Sequence, residues 1–217
     1  MILHLSQVEQ FVGHYNDWRV KRVGFVEKLY GKSFFRDKTI LELGCGHGHI
    51  GRYLQNRLGA KVTFADGREE HLHTIKEILP SADTILLDQN KPWDLNRKFD
   101  VVIHWGVLYH LDDWKSDLES VSKHTNLLFL ESEVVDTDDP DYEIKVDKVD
   151  GYDQDLGEKT TRTSAAAIES HLVDLEFIYN RFDSPELNAE FHVYDWEVKH
   201  TKQWEQGKRR FWIAEKV

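Results

Sequence analysis

Cysteine is almost absent: Cys45 stands alone in 217 residues. A single thiol excludes an internal disulfide and any cysteine-based metal cluster, and it points to a reducing compartment, the cytoplasm. Long apolar runs are missing too. Mean hydropathy is −0.57, and no stretch approaches the roughly 20 apolar residues that cross a bilayer, so no membrane contact is expected. The opening MILHLSQVEQ has neither the basic start nor the apolar core of a secretory signal. Positive charge is also short: 28 Lys and Arg face 39 Asp and Glu, a net charge of −11. That balance argues against nucleic acid as a partner, because phosphate binding draws on a cationic surface. Internal repeats and Pro-, Gly- or Ser-rich linkers are lacking as well. One domain over residues 1–217 is expected, long enough to bury its own core. Oligomeric state is not legible.

What is present is alternation. Residues 1–36 form a helical prelude, with Val8, Phe11, Val12 and Tyr15, then Val20, Val23, Val26 and Leu29, at helical spacing. From Thr39 short apolar strands alternate with helices. Strands are predicted at Thr39–Leu43, Lys61–Ala65, Thr84–Leu87, Asp100–His104, Asn126–Glu131, Glu176–Tyr179 and Arg210–Ala214. Helices are predicted at His49–Leu58, Arg68–Leu79, Trp114–Lys123 and Ser164–Leu175, the last N-capped by Ser164. This order implies an α/β fold: a Rossmann-like, mostly parallel seven-stranded sheet with helices on both faces. The last two strands lack an intervening helix, so an antiparallel last strand is expected. Residues 135–163 and 183–208 are left as insertions.

The segment ILELGCGHGHIG, Ile40 to Gly51, carries the chemistry. A strand runs into closely spaced glycines and then a helix, a loop that lets a nucleotide-type cofactor lie against the main chain beside unpaired helix amides. Gly46 to Gly51 satisfies the G-x-G-x-x-G spacing of dinucleotide-binding folds, and Asp66 follows 20 residues later. An NAD(P)-dependent oxidoreductase is therefore one reading. Three features favour S-adenosylmethionine. The strand ends at Gly44, so the nicotinamide register would need two extra residues in a tight turn. Glu42 is a nearly buried carboxylate wanting a cationic partner, which the cofactor ammonium supplies. Asp88-Gln89 offers a second acidic position, after the third strand, for an adenine amino group.

ELGCGHG resembles motif I of class I S-adenosylmethionine-dependent methyltransferases, TFADGREEHL their second motif, and FDVVIHWGVLYHL the segment around their fourth strand. The stretches GYDQDLGEKTTRTSAAAIESHL and LNAEFHVYDW to RRFWIAEK resemble a bacterial small-molecule methyltransferase subgroup, which supplies no substrate. The resemblance implies that Glu42, Gly44, Cys45 and Gly46 cradle the methionine moiety, and that Asp66 accepts from both ribose hydroxyls, flanked by Gly67 or Arg68. It also implies Asp88 and Gln89 at the adenine edge, His104 backbone near the methionine amino group, and S-adenosylhomocysteine as product. A non-catalytic S-adenosylmethionine-binding partner subunit is a third reading.

Methyl transfer needs alignment and, for some acceptors, a base. His110 is the candidate base at neutral pH, with Tyr109 orienting the acceptor; capping of the next helix or a bond to Asp112 would explain His110 equally well. Trp105 reads as a pocket wall. Tyr152 in the first insertion, and His192 and Tyr194 in the second, are candidate contacts for a small, hydroxylated metabolite. No metal is expected: His47 and His49 lie on the cofactor loop, and His71 and His73 diverge on a helix. The charge is concentrated. Ten carboxylates from Asp136 to Glu158 face Lys145 and Lys148, a local −8, in a solvated flap or a lid that favours cationic or neutral polar substrates. Within it Tyr142, Ile144 and Val146 alternate as in a half-buried strand.

Overall fold

A computed structural model describes residues 14–147, 156–157, 159–190, 192–198 and 207–216. The prelude contributes α1 (His14–Tyr30). There follow β1 (Thr39–Leu43), α2 (His49–Leu58), β2 (Lys61–Asp66), α3 (Glu69–Ile78), β3 (Asp83–Leu86), β4 (Val101–Trp105) and α4 (Trp114–His124). Then come β5 (Leu127–Glu133), β6 (Glu143–Asp147), β7 (Lys159–Thr163), α5 (Ala165–Asp174), β8 (Phe177–Arg181) and β9 (Arg209–Lys216). Seven strands form one sheet in the order β3-β2-β1-β4-β5-β9-β8. β1 to β5 run parallel, and β9 lies antiparallel between β5 and β8. The order reverses between β1 and β4, and ligands of open α/β sheets settle beyond the strand ends at such a reversal.

Strand period decides what reaches that end. Ile40, Phe64, Ile103, Phe129 and Phe211 face the core under α1, α2 and α3. Leu41, Val102, Leu128 and Trp212 face the other core, under α4 and α5. Because side chains alternate, Glu42, Trp105, Glu131, Glu133 and Arg209 share the first face, and His104 takes the second. Helix ends follow simple chemistry. Ser164 Oγ accepts from Ala167 N at 3.0 Å, as expected for an N-cap, and Asp113 accepts from Ser116 N at 3.2 Å. Within the acidic insertion β6 and β7 pair antiparallel. β6 carries the expected alternation, whereas β7, KTTRT, has no apolar pattern. It exists through pairing, and through the bond from Thr161 N to the Leu111 carbonyl at 3.1 Å.

Candidate active site

The glycine loop leaves β1 with Gly44, Gly46 and Gly48 all in the left-handed region, at φ of 57°, 53° and 68°. A Cβ at Gly46 would meet nothing within 4 Å, so the main chain there borders open space. Gly51 is a different case: a Cβ would overlap Glu42 Oε2 and Phe64. Close helix–sheet approach lets Gly51 N donate to Glu42 Oε2 at 3.0 Å. Burial pushes Glu42 up to about 8, against the Gly51 amide and the Arg19 guanidinium. Burial in turn lowers Arg19 to about 10, with Arg22 adding to it. Arg19 on α1 was not singled out by its sequence, since nothing local marks it as facing Glu42. Cys45 is buried, and its backbone N bonds the Ala65 carbonyl at 3.0 Å. The residue shapes the turn through its backbone.

Asp66 closes β2 and is held from three directions. Its Oδ2 accepts from Gly46 N at 2.8 Å, its Oδ1 from Arg68 N at 2.9 Å, and His71 Nδ1 lies 3.0 Å from Oδ1. A carboxylate offers about four acceptor positions, so loop and helix already use most of them. Gly67 lies beneath Leu156 of the acidic insertion, whose side chain a Cβ there would overlap. Arg68 reaches Glu70 at 3.3 Å. Asp88 pairs with Lys91 at 2.6 Å at the rim. Gln89 and His104 turn the other way. His104 Nε2 lies 2.7 Å from Asp117 Oδ2, Gln89 Nε2 donates to Asp117 at 3.2 Å, and Trp93 Nε1 donates at 2.8 Å. This cluster sits under α4, so Gln89 and His104 can meet a cofactor at the strand ends only through their backbone.

Beyond β4 and β5 lies a set of buried charges that sequence motifs do not mark. Glu131 accepts from Arg22 Nη1 at 3.1 Å, Arg209 Nη1 at 3.0 Å and Tyr194 OH at 3.2 Å. Glu133 accepts from Arg162 Nε at 3.0 Å and Arg209 Nη2 at 3.3 Å. Arg209 Nη2 also donates to Tyr109 OH at 3.1 Å, and Arg162 donates to the Tyr109 carbonyl. Burial raises Tyr109 to about 12 despite Arg209, so its hydroxyl is neutral at pH 7. The Tyr109 and His110 ring centroids lie 4.1 Å apart. His110 belongs to a short 3-10 turn, Leu108–His110, whose backbone N bonds the Val107 carbonyl at 2.8 Å. Trp105 is buried and packs on Phe211, centroids 5.7 Å apart.

The candidate acceptor contacts divide. Tyr152 lies outside the described residues. Tyr194 is fully buried, accepts from Trp18 Nε1 at 2.6 Å and supports Glu131; it braces the site's framework. His192 packs at a tilt against Trp18, 4.2 Å between centroids, and accepts from Arg209 Nε at 3.3 Å. His71 and His73 diverge as their helical spacing implies, whereas the His47 and His49 rings lie edge to face at 6.5 Å. His71 is buried on Asp66 while His73 is exposed beside Glu69. His47 and His71 rings lie 4.8 Å apart, and burial, then His71, lowers His47 to about 4. Among the described residues no group of three His, Cys, Asp or Glu is placed to hold a metal ion, and no helix is long and apolar enough to cross a membrane.

Fold and site together define a class I, nucleotide-cofactor α/β protein whose glycine loop leads into Glu42 and Asp66. The methyltransferase domain family matches residues 17–201, and the chain belongs to that family. It is an S-adenosylmethionine-dependent methyltransferase, which sets aside the oxidoreductase reading. No curated protein matches it. Solved structures share the fold. Magnesium protoporphyrin IX methyltransferase from Synechocystis PCC 6803, with bound S-adenosylmethionine, is 15% identical, with a TM-score of 0.62 over 99% of this chain and 87% of that one. The N-terminal domain of EvdMO1, in the presence of S-adenosylhomocysteine and D-fucose, is 16% identical, with a TM-score of 0.64 over 93% and 83%. A methyltransferase from Clostridium acetobutylicum is 13% identical, with a TM-score of 0.60 over 97% and 94%.

Proposed function

We propose that the protein methylates a small, hydroxylated metabolite in the cytoplasm, bound beyond the ends of β4 and β5. The observation that carries the cofactor's placement is Gly46, left-handed, with open space where a Cβ would stand and Asp66 at 2.8 Å from its amide. Gly44 to Gly46, Glu42 and Arg19 would hold the methionine half, and Asp66 and Asp88 the adenosine half. Bound there, S-adenosylmethionine supplies an activated methyl on a sulfonium. The chain must then align the acceptor and exclude water. Alignment lowers a barrier by up to ~7–11 kcal/mol in the best cases. Arg209 fixes the Tyr109 hydroxyl, and His110 beside it takes the acceptor proton, a role that contributes about 10²–10⁴-fold. Leu156 over Gly67 supports the acidic insertion as a cover on the ribose side.

The test is calorimetric titration with S-adenosylhomocysteine and NAD, followed by transfer of labelled methyl into metabolite extracts. Binding of the sulfur compound and indifference to NAD are expected. His110→Ala should lower label transfer by about 10²-fold or more. NAD binding without S-adenosylhomocysteine binding would remove the cofactor assignment, and equal transfer by both proteins would remove His110 as base.

A further inference from the structure

Where α1 crosses the ends of β4 and β5, the described residues place three guanidinium groups on two carboxylates. Arg22, Arg162 and Arg209 face Glu131 and Glu133, and no side chain among them is more than 4% exposed. Lys208 and Asp136, next along, pair with each other. Two donors in this cluster are not used. Arg22 gives Nε to the Trp18 carbonyl at 3.4 Å and Nη1 to Glu131. Among the described residues nothing accepts from its Nη2. Trp105 Nε1 is buried and likewise has no acceptor among them. The Arg22 guanidinium carbon lies 3.6 Å from the Trp18 ring centroid and 5.3 Å from that of Trp105. Burial lowers the Arg22 pKa, and Glu131 opposes that shift.

An indole N–H buried without an acceptor is costly, and Arg22 Nη2 beside it, which has no acceptor among the described residues, has donor capacity to spare. One ligand chemistry answers both. With Arg22 Nε and Nη1 engaged, a carboxylate can accept from Nη2 through one oxygen and from the neighbouring indole through the other, a charge-assisted bond beside a neutral one. We propose that Arg22 and Trp105 form a carboxylate subsite for the methyl acceptor, so that the enzyme methylates an acidic small molecule. This deepens the methyltransferase reading and rests on the acceptor lying beyond β4 and β5. The inner site therefore has the opposite preference from that expected of the acidic insertion around it.

The test uses the full chain with and without saturating S-adenosylhomocysteine. Tryptophan fluorescence is titrated with benzoate against benzamide, and with cyclohexanecarboxylate against its amide. At least one carboxylate is expected to bind tenfold or more tightly than its amide. Arg22→Met should abolish that preference, and Arg22→Lys should keep part of it. Trp105→Phe, which removes only the indole N–H from the pairing, should reduce it roughly threefold and covers the case in which Arg22→Met does not fold. If neither carboxylate outbinds its amide, or if Arg22→Met keeps the preference, the proposal falls. S-adenosylhomocysteine and its decarboxylated analogue, titrated into wild type and Arg22→Met, separate the two sources of a carboxylate. A variant that loses affinity for the former alone assigns Arg22 to the cofactor and overturns the acceptor subsite. Wild-type protein that binds no S-adenosylhomocysteine would refute the cofactor assignment instead, leaving the carboxylate-against-amide comparison readable without it.

Discussion

The two halves of the site are built by different means. On the β1–β2 side, backbone does the work: left-handed glycines, a helix start and the amides of Gly46, Gly51 and Arg68, with one carboxylate bonded to each kind of neighbour. On the β4–β5 side, side chains from α1, β5, β7 and β9 meet in a buried network around Glu131 and Glu133. Backbone amides are placed once the chain turns, so the cofactor half is preorganised at small cost in side-chain freedom. Buried ion pairs are costly to desolvate and more costly to break. The half around Glu131 and Glu133, proposed to take the acceptor, therefore ties its own geometry to the stability of the domain. That division suits a methyltransferase, in which the donor is constant and the acceptor must be recognised by dedicated groups.

The contrast can be broken in three ways, in order of expected effect. Arg209→Met strips cations from both Glu131 and Glu133. Urea denaturation should register a loss of about 3–5 kcal/mol, the range for removing one partner of a buried pair. A loss below 1 kcal/mol would make the network an ornament of the surface kind. Asp66→Ala, by contrast, should weaken S-adenosylhomocysteine binding on the order of 10–100-fold in calorimetry, the scale of hydrogen bonds to a charged group. Its melting temperature should fall far less than that of Arg209→Met. The reverse pattern would exchange the roles of the halves.

The third effect is smaller and depends on pH. Glu42 has an ordinary value of 4.5 and is raised by burial to about 8. Between those pH values the unfolded chain has released this proton and the folded chain has kept it. Stability therefore falls as pH rises through that window and levels off above it. Glu42→Gln keeps an acceptor for the Gly51 amide and removes the titration. Its melting temperature relative to wild type should climb from pH 5 to pH 8; a constant difference would show that Glu42 is ionised throughout.

How much of this was legible varies with the range of the forces involved. The core strands were readable because each buries an apolar run against neighbours on both sides, and β1 and α2 fall at their expected bounds. β5 extends two residues further than its apolar pattern, to Glu133, because pairing with β9 supplies backbone partners for polar residues there. β7 went unseen, since Thr160 to Thr163 are buried by the hairpin and the turn after β4 and not by any apolar period. Gln89 reads as an adenine contact from its place after the third strand, yet Asp117 on α4 draws its amide under the sheet. Tyr194 reads as a candidate substrate contact in an insertion, yet Trp18 and Glu131 close over its hydroxyl.

The sequence by itself determined the glycine-loop half: a strand, glycines at fixed spacing, a helix start and an acid 20 residues on suffice, because each acts within one βαβ unit. Only tertiary structure decided the half around Glu131 and Glu133. Arg22 and Glu131 stand 109 residues apart, and Arg209 and Glu131 stand 78 apart. A charge reveals its partner only after strand order and side-chain alternation have put both on the same face of the sheet.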